Sequence, residues 1–361
     1  MHRLPIAQGL QKQGHHIGVL TQNTGRKAEI EALGFEFLDL PLDRKGTNLF
    51  TEAKTWLQTY KTYKTYRPDV VYQVTIKPII YGLIAAKFLK IKTLNTVCGL
   101  GYAFSEEAPF WLQKTVSILY RFGFSKAQTI TFFENTDDKK VFEDQEILKP
   151  YHTAKVVKGV GVDLDRYSPI SKSIKKQKLQ IILPSRMLWD KGIREFCEAA
   201  KMLQKEYQDE VCFKLYGKID TENPQAVPES YFQSQYIKGY LEWKGFATDM
   251  KTIYQETNIV VLPSYYREGM PTVLAEAAAM GIPCISTNSV GCRDAIDHEK
   301  NGLLIPSKST EALVTALKRL LRNPELRTTM GQKGREKAQK EFDSKKITAI
   351  YLENFEKLLN D

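Results

Sequence analysis

The stretch from Asn258 to Gly281, NIVVLPSYYREGMPTVLAEAAAMG, constrains the fold of this chain more than any other. Asn258 to Pro263 is a short β-branched, apolar run, which predicts a buried strand. Thr272 to Met280 consists of strong helix formers, ends at Gly281, and has Pro271 in place for the first helical position. Between them, Ser264 to Met270 is a polar turn. A strand, a tight polar loop and a helix N-terminus make an anion site, because helix-end N–H groups and the helix dipole converge there. Glu268 lies in the loop, and Glu276, eight residues on, lies one turn into the helix. Two carboxylates beside an anion site suit a ligand with a phosphate core and hydroxyl-bearing arms, such as a nucleotide sugar. An ordinary strand–helix unit with two solvated glutamates accounts for the same residues.

The rest of the chain repeats this alternation, which predicts parallel α/β layers. In the first half, helices over 4–13, 26–33, 52–66, 78–89 and 111–124 alternate with strands over 16–21, 35–38, 69–74, 93–97, 128–133 and 154–157. Gly159 to Pro169, followed by the polar and basic Ser171 to Lys178, reads as a boundary. Beyond it the alternation restarts, with strands over 180–184, 211–216, 258–263 and 283–287, an extended segment at 240–244, and a helical end from Thr310 to Leu359. The predicted organisation is a first domain over 1–165, a linker over 166–178, a second domain over 179–340, and a C-terminal helix at 341–361 that can cross back to the first.

Composition narrows the chemistry. The 361 residues carry 52 basic and 42 acidic side chains, a net charge of +10 that points to an anionic partner. No nucleic-acid recognition signature accompanies it, so nucleic acid is not the expected partner. The excess is concentrated: between Lys54 and Lys92 eight basic residues face only Asp69, which fits a phosphorylated substrate or a membrane surface. The five cysteines form an odd set with no C-x-x-C pair, so a reducing cytoplasm is the expected setting. The five histidines show no metal-ligand spacing, and no metal is expected. Neither a G-x-x-x-x-G-K-[ST] nor a G-x-S-x-G motif occurs.

Further candidates lie beside the two glutamates. Arg186 and Lys191, in PSRMLWDKGIREF, follow a predicted strand and precede a helix, where two cations would stabilise a departing diphosphate. Together with the E-x7-E spacing of Glu268 and Glu276, these motifs resemble the family 4 retaining glycosyltransferases. The resemblance implies the GT-B fold, two Rossmann-like α/β domains facing a central cleft. It places the donor sugar on Glu268, the ribose hydroxyls on Glu276 and the diphosphate on Arg186 and Lys191. It adds the loop of Gly269, Met270, Pro271 and Thr272 for sugar and phosphates, and Gly245 with Phe246 for the base; Phe246 suits the core equally well. It also implies a strand and a Gly-containing loop ahead of HRLPIAQGLQKQGHHIGVLT, so the first sheet is expected to lack a central strand.

Acceptor contacts are expected in the first domain. Lys77, in VTIKPIIYG, sits at a strand end, and Gly99 and Gly101, in CGLG, follow the next strand. Lys77 reads equally as a solvated helix-start lysine. Trp56, Tyr60 and Tyr63 share a helical face beside Lys54, Lys61 and Lys64, and with Pro109 to Leu112 they form a candidate bilayer contact; an aromatic stripe of this kind also makes core. SRMLWDKGIREF, VTIKPIIYG and NTVCGLGYAF resemble the branch acting on undecaprenyl-diphosphate-linked sugars. The expected activity is therefore retaining transfer from a UDP-sugar to a polyprenyl-diphosphate-linked saccharide, at the cytoplasmic membrane face and without a cofactor. Transfer to a soluble acceptor, phosphorolysis, and nucleotide-sugar binding without turnover are the alternatives.

Overall fold

The computed structural model describes residues 3–42, 48–104, 108–125, 128–169 and 178–360. It divides into two compact units, Met1–Val160 with Lys346–Asp361, and Gly161–Lys345. Most of the polar linker segment, 170–177, lies outside the described residues.

The first unit runs α1 (Leu4–Lys12), β1 (Gly18–Thr21), α2 (Lys27–Ala32), β2 (Glu36–Asp39), α3 (Leu49–Tyr66), β3 (Val70–Val74), α4 (Ile76–Leu89), β4 (Lys92–Val97), α5 (Phe110–Phe124), β5 (Thr129–Phe133), α6 (Thr136–Asp144) and β6 (Thr153–Val156). All pairings are parallel, but the strands form two sheets, β1–β2 and β3–β4–β5–β6. β3 therefore ends the larger sheet, with no strand paired on its other edge among the described residues. One apolar cluster joins α1, through Ile6 and Leu10, to Leu94, Ile130 and Phe132 of the sheet and to Tyr351 and Phe355 near the C-terminus. A second gathers Ile79 and Leu83 of α4 and Tyr120 and Phe124 of α5 with Phe133 and Phe142.

The aromatic stripe of α3 is turned inward. Tyr63 is buried and Trp56 packs against the α4–α5 core, so these two do not form the exposed face expected of a bilayer contact. Helix α6 lacks the apolar periodicity that would have announced it. Its start is fixed by Asn135, whose side chain accepts from the Asp138 N–H at 2.7 Å.

The second unit contains β7 (Leu179–Pro184), α7 (Ile193–Tyr207), β8 (Val211–Tyr216), α8 (Glu229–Gln235), β9 (Leu241–Trp243), α9 (Met250–Glu256), β10 (Thr257–Leu262), α10 (Thr272–Ala279), β11 (Cys284–Thr287), α11 (Cys292–Ala295), β12 (Gly302–Ile305), α12 (Thr310–Arg322) and α13 (Pro324–Glu341). A final helix, α14 (Ser344–Asn360), leads into the first unit. The sheet order is β12–β11–β10–β7–β8–β9, all parallel. β7 and β10 are apolar runs buried on both faces, as central parallel strands must be. α7 sets Ile193, Phe196, Ala200, Leu203 and Tyr207 on one face, a 3.6-residue stripe that closes one side of the sheet. α10 presents Leu274, Ala275 and Ala278 to the core on the other. The helical tail is broken at Phe342 and Asp343, where Val162 N–H donates to the Phe342 carbonyl and Ser344 N–H to that of Val162.

Candidate active site

The topology of the second unit decides where to look. From β7 the chain runs outward through β8 and β9, then returns to lay β10 on the other side of β7 and continues through β11 and β12. In open parallel sheets, ligands bind outside the carboxyl ends of the strands at such a switch point. The segment leaving β7 carries Arg186 and Lys191, and the one leaving β10 carries Glu268.

Backbone geometry brings the two segments together. Lys191 ends a single 3-10 turn, and Gly192 follows with φ 76°. A side chain on Gly192 would overlap the Pro263 carbonyl, so the turn lies directly against the end of β10. The Asp190 carbonyl accepts from the N–H groups of Tyr265 (2.9 Å) and Tyr266 (3.2 Å) and from Ser264 Oγ (3.2 Å). Lys191 Nζ then donates to Glu268 Oε1, which also accepts from Ser264 Oγ at 3.3 Å. The same ammonium lies 4.6 Å from the centroid of the Tyr266 ring. Only 8% of the Lys191 side chain and 16% of that of Glu268 are exposed, so salt screens the pair little. Behind the loop, Gly291 adopts φ 79°; a Cβ there would overlap the Gly269 carbonyl oxygen and come within 2.8 Å of that of Glu268. Gly291 thus lets a second backbone segment buttress the Glu268 loop.

Arg186 is more than half exposed, with Nη1 3.2 Å from Asp220 Oδ2. An exposed pair of this kind stabilises little, so turning the guanidinium toward an anion costs little. Pro271 caps α10 with ψ 108°, one position earlier than predicted, and its carbonyl accepts the first helical bond from Leu274 N–H at 3.0 Å. Thr272 therefore opens the helix, while the Met270 side chain belongs to the core. Glu276 is held from a neighbouring helix, where Tyr254 OH donates to its Oε2 at 3.0 Å. Burial pushes the Glu276 carboxyl above its ordinary range, opposed by hydrogen bonds from Tyr254 and Tyr167. Phe246 is exposed, with Lys218 Nζ 4.6 Å above its ring, so it is not a core residue. Gly245, at φ 69°, precedes it, and its carbonyl accepts from Gly217 N–H at 2.8 Å.

In the first unit, Gly99 and Gly101 follow β4 with φ of 100° and 56°. Lys77 pairs with Glu52 at 2.7 Å. Beside them lies a cluster that sequence reading missed. Arg3 donates to Glu134 Oε1 (2.6 Å), to Cys98 Sγ (3.0 Å) and to Tyr351 OH (3.3 Å), beyond the carboxyl ends of β4 and β5. Burial, with Glu134 adding to it, pushes the Cys98 thiol up to about 12, so it stays protonated. Tyr254, Tyr167, Ser264, Asp220 and Gly291 were also missed. Of these, only Ser264 carried a signal, four residues before Glu268 at the end of the strand. No three His, Cys, Asp or Glu side chains gather as a metal site among the described residues.

Two α/β units, each built on parallel strands, match the GT-B fold, and the second carries a buried Lys–Glu pair and an exposed Arg at its switch point. The family matches agree. Residues 168–337 match the model for glycosyl transferases group 1, and residues 1–135 match that for glycosyl transferase 4-like domains. The chain is a glycosyltransferase with a group 1 domain and a 4-like domain. It is 26% identical to the N,N'-diacetylbacillosaminyl-diphospho-undecaprenol alpha-1,3-N-acetylgalactosaminyltransferase of Campylobacter jejuni, over 99% of this chain and 96% of that protein. It is 25% identical to the UDP-Gal:alpha-D-GlcNAc-diphosphoundecaprenol alpha-1,3-galactosyltransferase of Escherichia coli, over 76% of this chain and 72% of that protein. Among solved structures, a glycosyltransferase from Rickettsia africae aligns with TM-score 0.78 at 18% identity, over 100% of this chain and 94% of that one.

Proposed function

We propose that the chain transfers an N-acetylhexosamine or hexose from a UDP-sugar to a polyprenyl-diphosphate-linked saccharide, with retention at the anomeric carbon, in bacterial surface-glycan synthesis. The observation that carries this reading is the Lys191–Glu268 pair at the β7–β10 switch point. The names of the two curated relatives, both acting on undecaprenyl-diphosphate-linked sugars, support the acceptor class.

In the proposed reaction Arg186 and Lys191 neutralise the diphosphate as the bond from its oxygen to the anomeric carbon breaks. The acceptor hydroxyl attacks from the face that the diphosphate leaves, and its proton passes to the departing phosphate oxygen. Glu268 positions the sugar hydroxyls, Glu276 takes the ribose hydroxyls, and Phe246 packs on the base. Lys77, Gly99 and Gly101 are proposed for the acceptor, whose lipid sets the reaction at the cytoplasmic membrane face. The proposed mechanism uses no cofactor.

Glu276→Gln separates binding from stability. A carboxyl whose folded pKa is raised supports stability below its unfolded pKa, and that support is lost as pH rises through the folded value. The amide does not ionise, so the ligand-free variant is expected to melt higher than wild type at pH 7.5. It is expected to bind UDP roughly ten-fold more weakly, the scale of one lost charge-assisted bond. Thermal melts and calorimetry check both. Transfer is tested with UDP-N-acetylgalactosamine and UDP-galactose on an undecaprenyl-diphosphate-linked sugar, with NMR reading the linkage; an inverted product would overturn the retaining reading.

A further inference from the structure

We propose that the α3–α4–α5 face of the first unit is a docking surface for an anionic bilayer. The proposal rests on the lipid-linked acceptor proposed above and adds where the protein meets the membrane. Thirteen large apolar side chains are strongly exposed among the described residues, and eight lie on these three consecutive helices. Scattered exposed apolar residues are ordinary, whereas a contiguous group marks an interaction site.

Part of the group forms one continuous surface. On α5, Trp111, Ile118 and Phe122 recur at spacings of seven and four, so they line one helical face opposite the buried Tyr120 and Phe124. Trp111 is 63% exposed and Phe110 beside it 76%. Phe88, near the end of α4, bridges the helices, with its ring 6.4 Å from Phe122 and 6.5 Å from Trp56 of α3. Lys87 Nζ sits 3.8 Å over the Phe122 ring and donates to the Phe122 carbonyl at 2.9 Å and to Ser125 Oγ at 2.6 Å, which holds its charge at the end of α5.

Charge selects the occupant. The three helices carry seven basic residues and one acid, Glu52, which is paired with Lys77. Lys54, Lys61, Lys64 and Lys114 are exposed. A second copy docking through the same face would set cations against cations. Aromatic rings with lysines around them suit the headgroup level of a bilayer rich in anionic lipid.

The test is co-sedimentation of the full chain with vesicles rich in phosphatidylglycerol, beside vesicles of phosphatidylcholine alone. Binding to the anionic vesicles is expected, weakening with added salt. Phe110→Asp/Trp111→Asp and Lys54→Glu/Lys61→Glu are each expected to lower partitioning at least ten-fold. UDP affinity, read by calorimetry on the same samples, is expected to stay at the wild-type value. No wild-type partitioning, or wild-type partitioning by both variants, overturns the proposal and leaves the transferase reading standing if UDP still binds. A concentration-dependent dimer abolished by Phe110→Asp/Trp111→Asp also overturns it, assigning the face to a second copy. Loss of UDP binding by the wild-type chain, with vesicle binding intact, would instead count against the transferase reading.

Discussion

Lys191→Ala is expected to lower kcat by roughly 10²–10³-fold, the loss typical of removing one preorganised donor from developing charge. The location of the ammonium sets the size of the effect. It is almost fully buried, donates to Glu268 Oε1 and lies over the Tyr266 ring, so neither water nor a mobile surface lysine can replace it. The substitution also removes the cation that offsets the Glu268 charge, so the loop proposed to position the sugar loses an anchor. Lys191→Arg keeps the charge but brings a planar fork into a pocket shaped for a point charge, and little activity should return. Steady-state kinetics with separate kcat and donor KM check this. A fall confined to KM would mean that Lys191 contributes binding alone, and unchanged kinetics would remove it from the mechanism.

The largest expected effect on stability lies in the other unit. Arg3 ties the start of α1 to Glu134 beyond β5, to Cys98 beyond β4 and to Tyr351 of the C-terminal helix. Tyr351 OH in turn lies 3.0 Å from Thr96 Oγ1, which is also 3.0 Å from Tyr72 OH. Removing one partner of a buried ion pair costs about 3–5 kcal/mol, a large part of the roughly 5–15 kcal/mol that holds a domain folded. Arg3→Ala should therefore lower the melting temperature of the first unit by on the order of 10 °C. Differential scanning calorimetry reads it, with UDP binding by the second unit as the control. A melting curve matching wild type would show that α1 and the C-terminal helix are held by apolar packing of Ile6, Leu10 and Phe355 alone.

The sequence announced what depends on local pattern. Apolar runs bounded by turn residues located β7 and β10, and Arg186, Lys191 and Glu268 could be read from the segments after them. That Lys191 meets Glu268 depends on β10 returning beside β7, a sheet order that local periodicity does not encode. Tyr254 could not be found for the same reason: it reaches Glu276 from a separate helix, and in sequence it reads as one more apolar position. Gly291 lies 23 residues from Glu268 and acts through backbone contact, which leaves no chemical signature. In the first unit the aromatic stripe of α3 was legible but its direction was not. Trp56 and Tyr63 pack inward because α4 covers that side, and the exposed aromatic residues of these three helices are Phe50 at the start of α3, Phe88 of α4 and Phe110, Trp111 and Phe122 of α5.

The central claim is that the β7–β10 switch point holds the nucleotide of the donor. Calorimetric titration of the full chain with UDP tests it most directly. A single site is predicted, with affinity in the ~1 μM to 1 mM range usual for enzyme substrates, weakened in Arg186→Ala and abolished in Glu276→Ala. A folded chain that binds no nucleotide, or one whose UDP affinity is untouched by both substitutions, would contradict the account.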